Sequence, residues 1–81
     1  MTGLAKVDAG VVEELMLVVP FDPPMMASTV VDLHVETRLD CTLDEFLSAA
    51  RELRSRGLVV FHEPDALSEA GGGKYVLRRI A

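Results

Sequence analysis

The chain contains few aromatic, cysteine and basic residues. It has no tryptophan, one tyrosine and three phenylalanines among 81 residues. The core must therefore be mainly aliphatic, and the aromatic surfaces on which single-stranded nucleic acid stacks are scarce. The single cysteine excludes an internal disulfide framework, as expected for a reducing compartment.

Long hydrophobic runs are also lacking. The apolar stretch over residues 11–19 is interrupted by Glu13 and Glu14 and is too short to span a bilayer. Only Lys6 is basic upstream, and no small-residue cleavage site follows, so we expect no signal peptide, no membrane span and a cytoplasmic location. A hydrophobic content of 49% is too high for a disordered chain and indicates one small domain over residues 1–81.

Acidic residues outnumber basic ones, and their distribution is uneven. The net charge is −5, made up of −7 over residues 1–50 and +2 over residues 51–81. A bipolar molecule of this kind can present its C-terminal part to an anionic ligand. The surplus of two positive charges over residues 51–81 would be the same if these arginines served only solubility. Charge alone therefore does not separate anion binding from solubility.

Two helices are predicted in the N-terminal half. The first covers residues 9–19, capped by Asp8 and stopped by Pro20. The second covers residues 24–37, with its first positions at prolines. Its cap is either Asp22 or Ser28, and one apolar stripe is formed by Met26, Val30, Leu33 and Thr37.

A third helix over residues 42–56 has the strongest pattern. Thr42 and Glu45 have the spacing of a capping box, in which each side chain bonds the other residue's backbone amide. Gly57 is placed to end the helix in the left-handed conformation. The apolar positions share one side of the helix and predict a buried face formed by Leu43, Phe46, Leu47, Ala50 and Leu53.

Two strands are predicted after the third helix. Residues 58–62 are apolar and β-branched, and residues 75–80 follow a glycine-rich loop. The predicted fold class is therefore α+β, with three helices followed by a C-terminal β-hairpin.

Residues 32–60 resemble the helix-turn-helix of bacterial winged-helix transcriptional regulators. Leu33-x-x-x-Thr37 leads through a short turn into the third helix. That helix ends in Leu53-Arg-Ser-Arg-Gly57-Leu-Val59, similar to the family's Leu-x-x-x-Gly-Leu-Val signature. The resemblance covers roughly residues 28–80 and implies a small winged-helix domain in which the third helix is the recognition helix.

The resemblance implies duplex DNA as the first candidate partner and a role in transcription regulation. The third helix would enter the major groove and the hairpin would approach phosphates. The candidate nucleic-acid-binding residues are Ser48, Arg51, Ser55, Arg56, Lys74 and Arg78. The sequence departs from the family in having Asp44 and Glu45 at the start of this helix, where carboxylates repel phosphates, and in its long connection between the first two helices.

The apolar first helix offers the DNA-binding candidate a dimer interface. The second candidate is a winged-helix module of a larger assembly, which binds a protein partner instead of DNA. Acidic residues in the first turn of the third helix, and methionines whose flexible side chains adapt to a partner surface, favour the protein-binding module. Its candidate partner-binding residues are Phe21, Met25, Met26, Asp44 and Glu45.

We expect no enzymatic activity, cofactor, small-molecule substrate or metal. The sequence contains no nucleophile–base pair and no cofactor motif. Residues 71–74 look like part of a phosphate-binding loop, but that motif needs glycine at position 68 and serine or threonine at position 75, where this chain has Ser68 and Tyr75. His34, Cys41 and His62 have no ligand-like spacing, and Cys41 is best explained as a half-buried structural thiol.

Overall fold

Within residues 8–64 and 73–81, which the computed structural model describes, three helices and a three-stranded antiparallel sheet form a small α+β domain. The elements are, in chain order, α1 (Ala9–Val18), β1 (Met25–Ala27), α2 (Val30–Thr37), α3 (Leu43–Ser55), β2 (Val59–His62) and β3 (Tyr75–Arg79). The predicted α+β class, the three helices and the C-terminal hairpin are confirmed.

Local capping explains where α1 and α3 begin. The Asp8 carboxylate accepts hydrogen bonds from the amides of Gly10 at 2.8 Å and Val11 at 3.3 Å. At α3, the Thr42 hydroxyl accepts from the Glu45 amide at 3.1 Å, while the Glu45 carboxylate accepts from the Thr42 amide at 2.8 Å. These bonds satisfy amides that a helix start leaves without intrahelical partners.

The prediction of a helix over residues 24–37 was wrong for residues 24–29. Met25–Ala27 form strand β1, which pairs with β3 in the register Met25 to Leu77 and Ala27 to Tyr75. The prolines before it favour extended backbone, and pairing with β3 supplies the hydrogen bonds that a helix would have provided. The helix begins only at Val30, capped by Thr29, whose hydroxyl accepts from the Asp32 amide at 3.1 Å. Neither Asp22 nor Ser28 is its cap.

The turn between α2 and α3 starts from a left-handed residue that is not glycine. Arg38 has φ 58°, and the buried Thr37 beside it donates its hydroxyl to the His34 carbonyl at 2.6 Å. The same hydroxyl accepts from the Leu39 amide at 3.3 Å. This pair of bonds fixes the direction in which the chain leaves α2 for α3.

The sheet has the order β1-β3-β2, so β3 is its central strand. In β2 and β3 the alternate residues Val59, Phe61 and Leu77 are buried, which places the helices against one face of the sheet. Strand β2 pairs with β3 from Val59–Arg79 to His62–Val76. The loop predicted between these strands lies, for residues 65–72, outside the described residues.

Helix α3 is the centre of the hydrophobic core. Phe46, Ala49, Ala50 and Leu53 are at most 1% exposed. Phe46 stacks on the His34 ring with centroids 5.2 Å apart and meets Phe61 edge-on at 6.4 Å. Because this face is held by neighbours from α1, α2 and β2, the opposite face of α3 has a fixed orientation on the surface.

Candidate nucleic-acid interface

The outer face of α3 carries a narrow polar stripe. Ser48, Arg51 and Ser55 recur at three- and four-residue intervals, which place them on one side of a helix with 3.6 residues per turn. Asp44 precedes them on the same side and is exposed. The Ser55 hydroxyl donates to the Glu52 carbonyl at 2.8 Å. Of the six candidate DNA contacts, the structure therefore brings these three together.

Arg56 belongs to another side of α3. It is roughly 140° around the helix from Arg51, since each residue turns the helix by about 100°. Its guanidinium donates to the Glu52 carboxylate at 2.8 Å. Together with residues of α1 these two side chains line an open hollow of about 310 Å³, whose walls are Ala9, Val12, Glu13, Glu52 and Arg56.

Arg51 and Arg54 converge on one carboxylate just after β2. Arg51 donates from Nε to Glu63 Oε2 at 3.1 Å and from Nη2 to Oε1 at 2.7 Å. Arg54 donates from Nη1 to Glu63 Oε2 at 2.9 Å. These charge-assisted bonds hold the pKa of Glu63 below its ordinary value, with the hydrogen bond from Arg51 as the largest cause.

Arg54 is also fixed by the sheet. Its Nη1 donates to the Phe61 carbonyl at 3.0 Å, and its guanidinium lies 5.5 Å from the centre of the Phe61 ring. A cation over an aromatic face is attracted by the ring quadrupole. We refer to Arg51 and Arg54 as the arginine pair. The sequence did not reveal that both arginines contact Glu63, because Glu63 lies beyond the helix and the turn that follows it.

The charge around α3 is close to balanced. Two arginines of the helix and Arg56 at its C-terminal cap stand against four carboxylates, from Asp44, Glu45, Glu52 and Glu63, which gives a local net charge of −1. Glu45 is committed to the capping box and Glu52 to Arg56. The positive charge that faces solvent between α3 and the end of β2 is therefore concentrated in the arginine pair.

The two candidate residues of the hairpin occupy different places. Lys74 is exposed immediately before β3. Arg78 pairs across the sheet with Val60, on the face opposite the buried Leu77 and hence away from α3. Arg78 is consequently not part of the α3 surface.

The candidate partner-binding residues do not form one patch. Met25 and Met26 alternate in β1, so Met25 packs against the core while Met26 is 49% exposed on the outer face. Phe21 is 54% exposed and lies under the Arg79 guanidinium, 4.9 Å from its ring centre. The predicted joint surface of Phe21, Met25 and Met26 is therefore divided by the sheet.

His34 and Cys41 are neighbours, which their sequence spacing did not reveal. Cys41 Sγ lies 3.6 Å from His34 Nε2 across the α2–α3 turn. Burial raises the pKa of the Cys41 thiol, and the nearby Glu45 carboxylate raises it further. Both effects disfavour the thiolate that metal binding and nucleophilic attack need.

In the described ranges, no group of three or more histidine, cysteine, aspartate or glutamate side chains is arranged to hold a metal ion. Among the helices of these same ranges, none has the length and apolar character that crossing a membrane requires. No protein-family model matches the chain, and searches of curated proteins and of solved structures likewise gave no match.

Proposed function

We propose that this chain is a winged-helix domain that binds duplex DNA through α3 and the base of the β2–β3 hairpin, as in transcriptional regulators. The element order supports the assignment: a helix, a short strand, two helices across a tight turn, then two strands, with the last strand central in the sheet. The observation that carries it is the outward-facing stripe of half-buried Ser48 and exposed Arg51 and Ser55, on a capped helix whose opposite face is in the core.

In this proposal α3 lies in the major groove. The hydroxyl groups of Ser48 and Ser55 can donate to or accept from base edges, while Arg51, Arg54 and Lys74 contact phosphates. The acidic residues at the start of α3 disfavour deep insertion of that end, because carboxylates repel the phosphate backbone. We therefore expect backbone contacts to contribute more to affinity than base contacts.

The salt dependence of binding follows from the number of cations involved. Three phosphate contacts give a slope of log K against log salt of about −2.7, which weakens binding about 40-fold between roughly 50 and 200 mM salt. Fluorescence anisotropy with a labelled duplex at low salt measures both affinity and slope. No binding at the lowest salt concentration would refute the proposal.

Arginine variants provide the matched comparison. Arg51→Ala and Lys74→Ala should each weaken binding and make the salt slope shallower by about 0.9. Arg56→Ala removes the same charge from the same helix, but on the side that faces α1, so it should have a much smaller effect. Equal losses for Arg51→Ala and Arg56→Ala would mean that total charge, and not the α3 stripe, controls binding.

A second candidate function is binding of a protein partner on the outer face of the sheet. Met26, Val76 and His62 are lateral neighbours across all three strands, and Val60 lies beside Arg78 on the same face. The half-exposed Met26 is the specific observation in its favour. Concentration-dependent association in analytical ultracentrifugation that Met26→Lys abolishes would support it, whereas a monomer at all concentrations would count against self-association.

A further inference from the structure

The Glu63 carboxylate binds the arginine pair in a geometry that a phosphate group can reproduce. Three N–H groups of the pair point at the two oxygens of one carboxylate, at distances from 2.7 to 3.1 Å. Arginine forks bind carboxylate and phosphate oxygens with the same bidentate geometry. The site is therefore already organised for an oxyanion.

The backbone of both arginines and the guanidinium of Arg54 are held in place independently of Glu63. Arg51 and Arg54 belong to consecutive turns of a helix whose opposite face is buried, and Arg54 has a further bond to the Phe61 carbonyl. Both guanidinium groups remain accessible, with side-chain exposures of 54% and 43%, whereas that of Glu63 is 22%. An external anion can thus reach the arginines from solvent, provided that Glu63 moves aside.

We propose that the arginine pair is a phosphate-binding site and that Glu63 is its intramolecular competitor, so that Glu63 must be displaced before a phosphate binds. This inference rests on the proposed DNA-binding function for the identity of its ligand, the backbone phosphodiester. In the native chain, Glu63 lowers the affinity for DNA and thereby reduces binding to low-affinity DNA sequences.

Glu63→Gln tests the proposal, because it removes the competing charge and keeps the size of the side chain. We expect duplex binding about tenfold tighter at low salt, with the slope of log K against log salt unchanged, because the same three cations contact phosphates in both bound chains. Glu52→Gln is the matched control. It removes the same charge from the partner of Arg56 on the other side of α3, so it should change affinity much less. Equal gains in the two variants would overturn the proposal in favour of a general charge effect.

Repeating the test in a chain that lacks the arginine pair shows whether the effect of Glu63→Gln acts through those two arginines. In Arg51→Ala/Arg54→Ala, adding Glu63→Gln should give at most a small gain. A full gain in that background would overturn the proposal. Glu63→Ala, with circular dichroism on every variant, provides a second substitution should the glutamine variant not fold.

Inorganic phosphate distinguishes failure of this inference from failure of the DNA-binding proposal. If neither the native chain nor Glu63→Gln binds DNA, but Glu63→Gln shows phosphate-dependent NMR shifts at Arg51 and Arg54, the site is supported and DNA is not its ligand. If the native chain binds DNA and Glu63→Gln binds no more tightly, the competitor role is wrong while DNA binding stands. If neither the native chain nor Glu63→Gln binds DNA, and Glu63→Gln does not bind phosphate either, both proposals fail.

Discussion

Arg51 of α3 and Glu63 just after β2 are joined by two hydrogen bonds, of 2.7 and 3.1 Å. Arg54 adds a third bond to the same carboxylate. The bonds connect the exposed side of α3 to the base of the hairpin, and both arginines remain accessible to solvent. The contact therefore bears on both the stability of the fold and the ligand that this surface accepts.

The first prediction concerns the pH dependence of stability. The pKa of Glu63 is lower in the folded chain than its ordinary value of 4.5, so its stabilising contribution is complete above about that pH and is lost as pH falls through the folded pKa. Glu63→Gln should lower the free energy of unfolding by about 1 kcal/mol at pH 7, since partly exposed pairs are screened by solvent.

Urea denaturation of the native chain and the variant checks this prediction. The difference between them should be constant from neutral pH to about pH 5 and should shrink at lower pH. Glu52→Gln, which breaks one exposed ion pair within a helix, should cost only about 0.3–0.5 kcal/mol at neutral pH. A Glu63→Gln difference that stays constant down to pH 2 would show that its origin is not the charge.

Phe46 should be among the most sensitive positions of the core. It is 0% exposed and contacts the rings of His34 and Phe61. Phe46→Ala should cost about 3–5 kcal/mol, because it removes buried surface and leaves a cavity. Phe21→Ala, at a residue 54% exposed, is the control and should cost far less. Similar midpoints for the two variants in urea denaturation would contradict the assignment of α3 as the centre of the core.

Substitution of Gly57 measures the cost of an unfavourable backbone conformation without a contribution from side-chain crowding. Its φ is +73°, and an added Cβ would meet no atom within 4 Å. Gly57→Ala should therefore cost about 1–2 kcal/mol through left-handed strain alone. Gly57→Asn should lose less, because asparagine tolerates this conformation better. If Gly57→Asn unfolded at a lower temperature than Gly57→Ala, left-handed backbone strain would not be the cause of the destabilisation.

Cys41 should react slowly with alkylating reagents. Burial and the nearby Glu45 raise its pKa, which lowers the thiolate fraction near neutral pH. Iodoacetamide should modify the folded chain several-fold more slowly at pH 8 than the same chain in urea. Equal rates in the two conditions would mean that the thiol is exposed and that its surroundings do not suppress ionisation.

The parts of the fold that could be predicted depend on local interactions. Helix α3 is specified by the Thr42–Glu45 capping box, an apolar stripe and Gly57, all within its own sequence. Strand β1 was missed because its partner, β3, lies about fifty residues further along the chain, and such pairing has no local signal. The three prolines before β1 were the available indication of extended backbone.

The candidate site was predictable to a similar extent. The stripe of Ser48, Arg51 and Ser55 follows from helical spacing. The contact of the arginine pair with Glu63 depends on how β2 returns along α3, so spacing within the helix could not reveal it. Met25 and Met26 illustrate the same limit, since helical spacing places neighbours on adjoining sides, whereas a strand sends them to opposite faces.

Mapping the contact surface is the most direct test of duplex binding by α3 and the hairpin base. Amide NMR spectra of the native chain, recorded as a short duplex is added at low salt, should change most over residues 48–55 and at Glu63 and Lys74. The amides of α1 should change little. Changes confined to Met26, Val60 and Val76 on the outer face of the sheet, or no change at saturating duplex, would contradict the account.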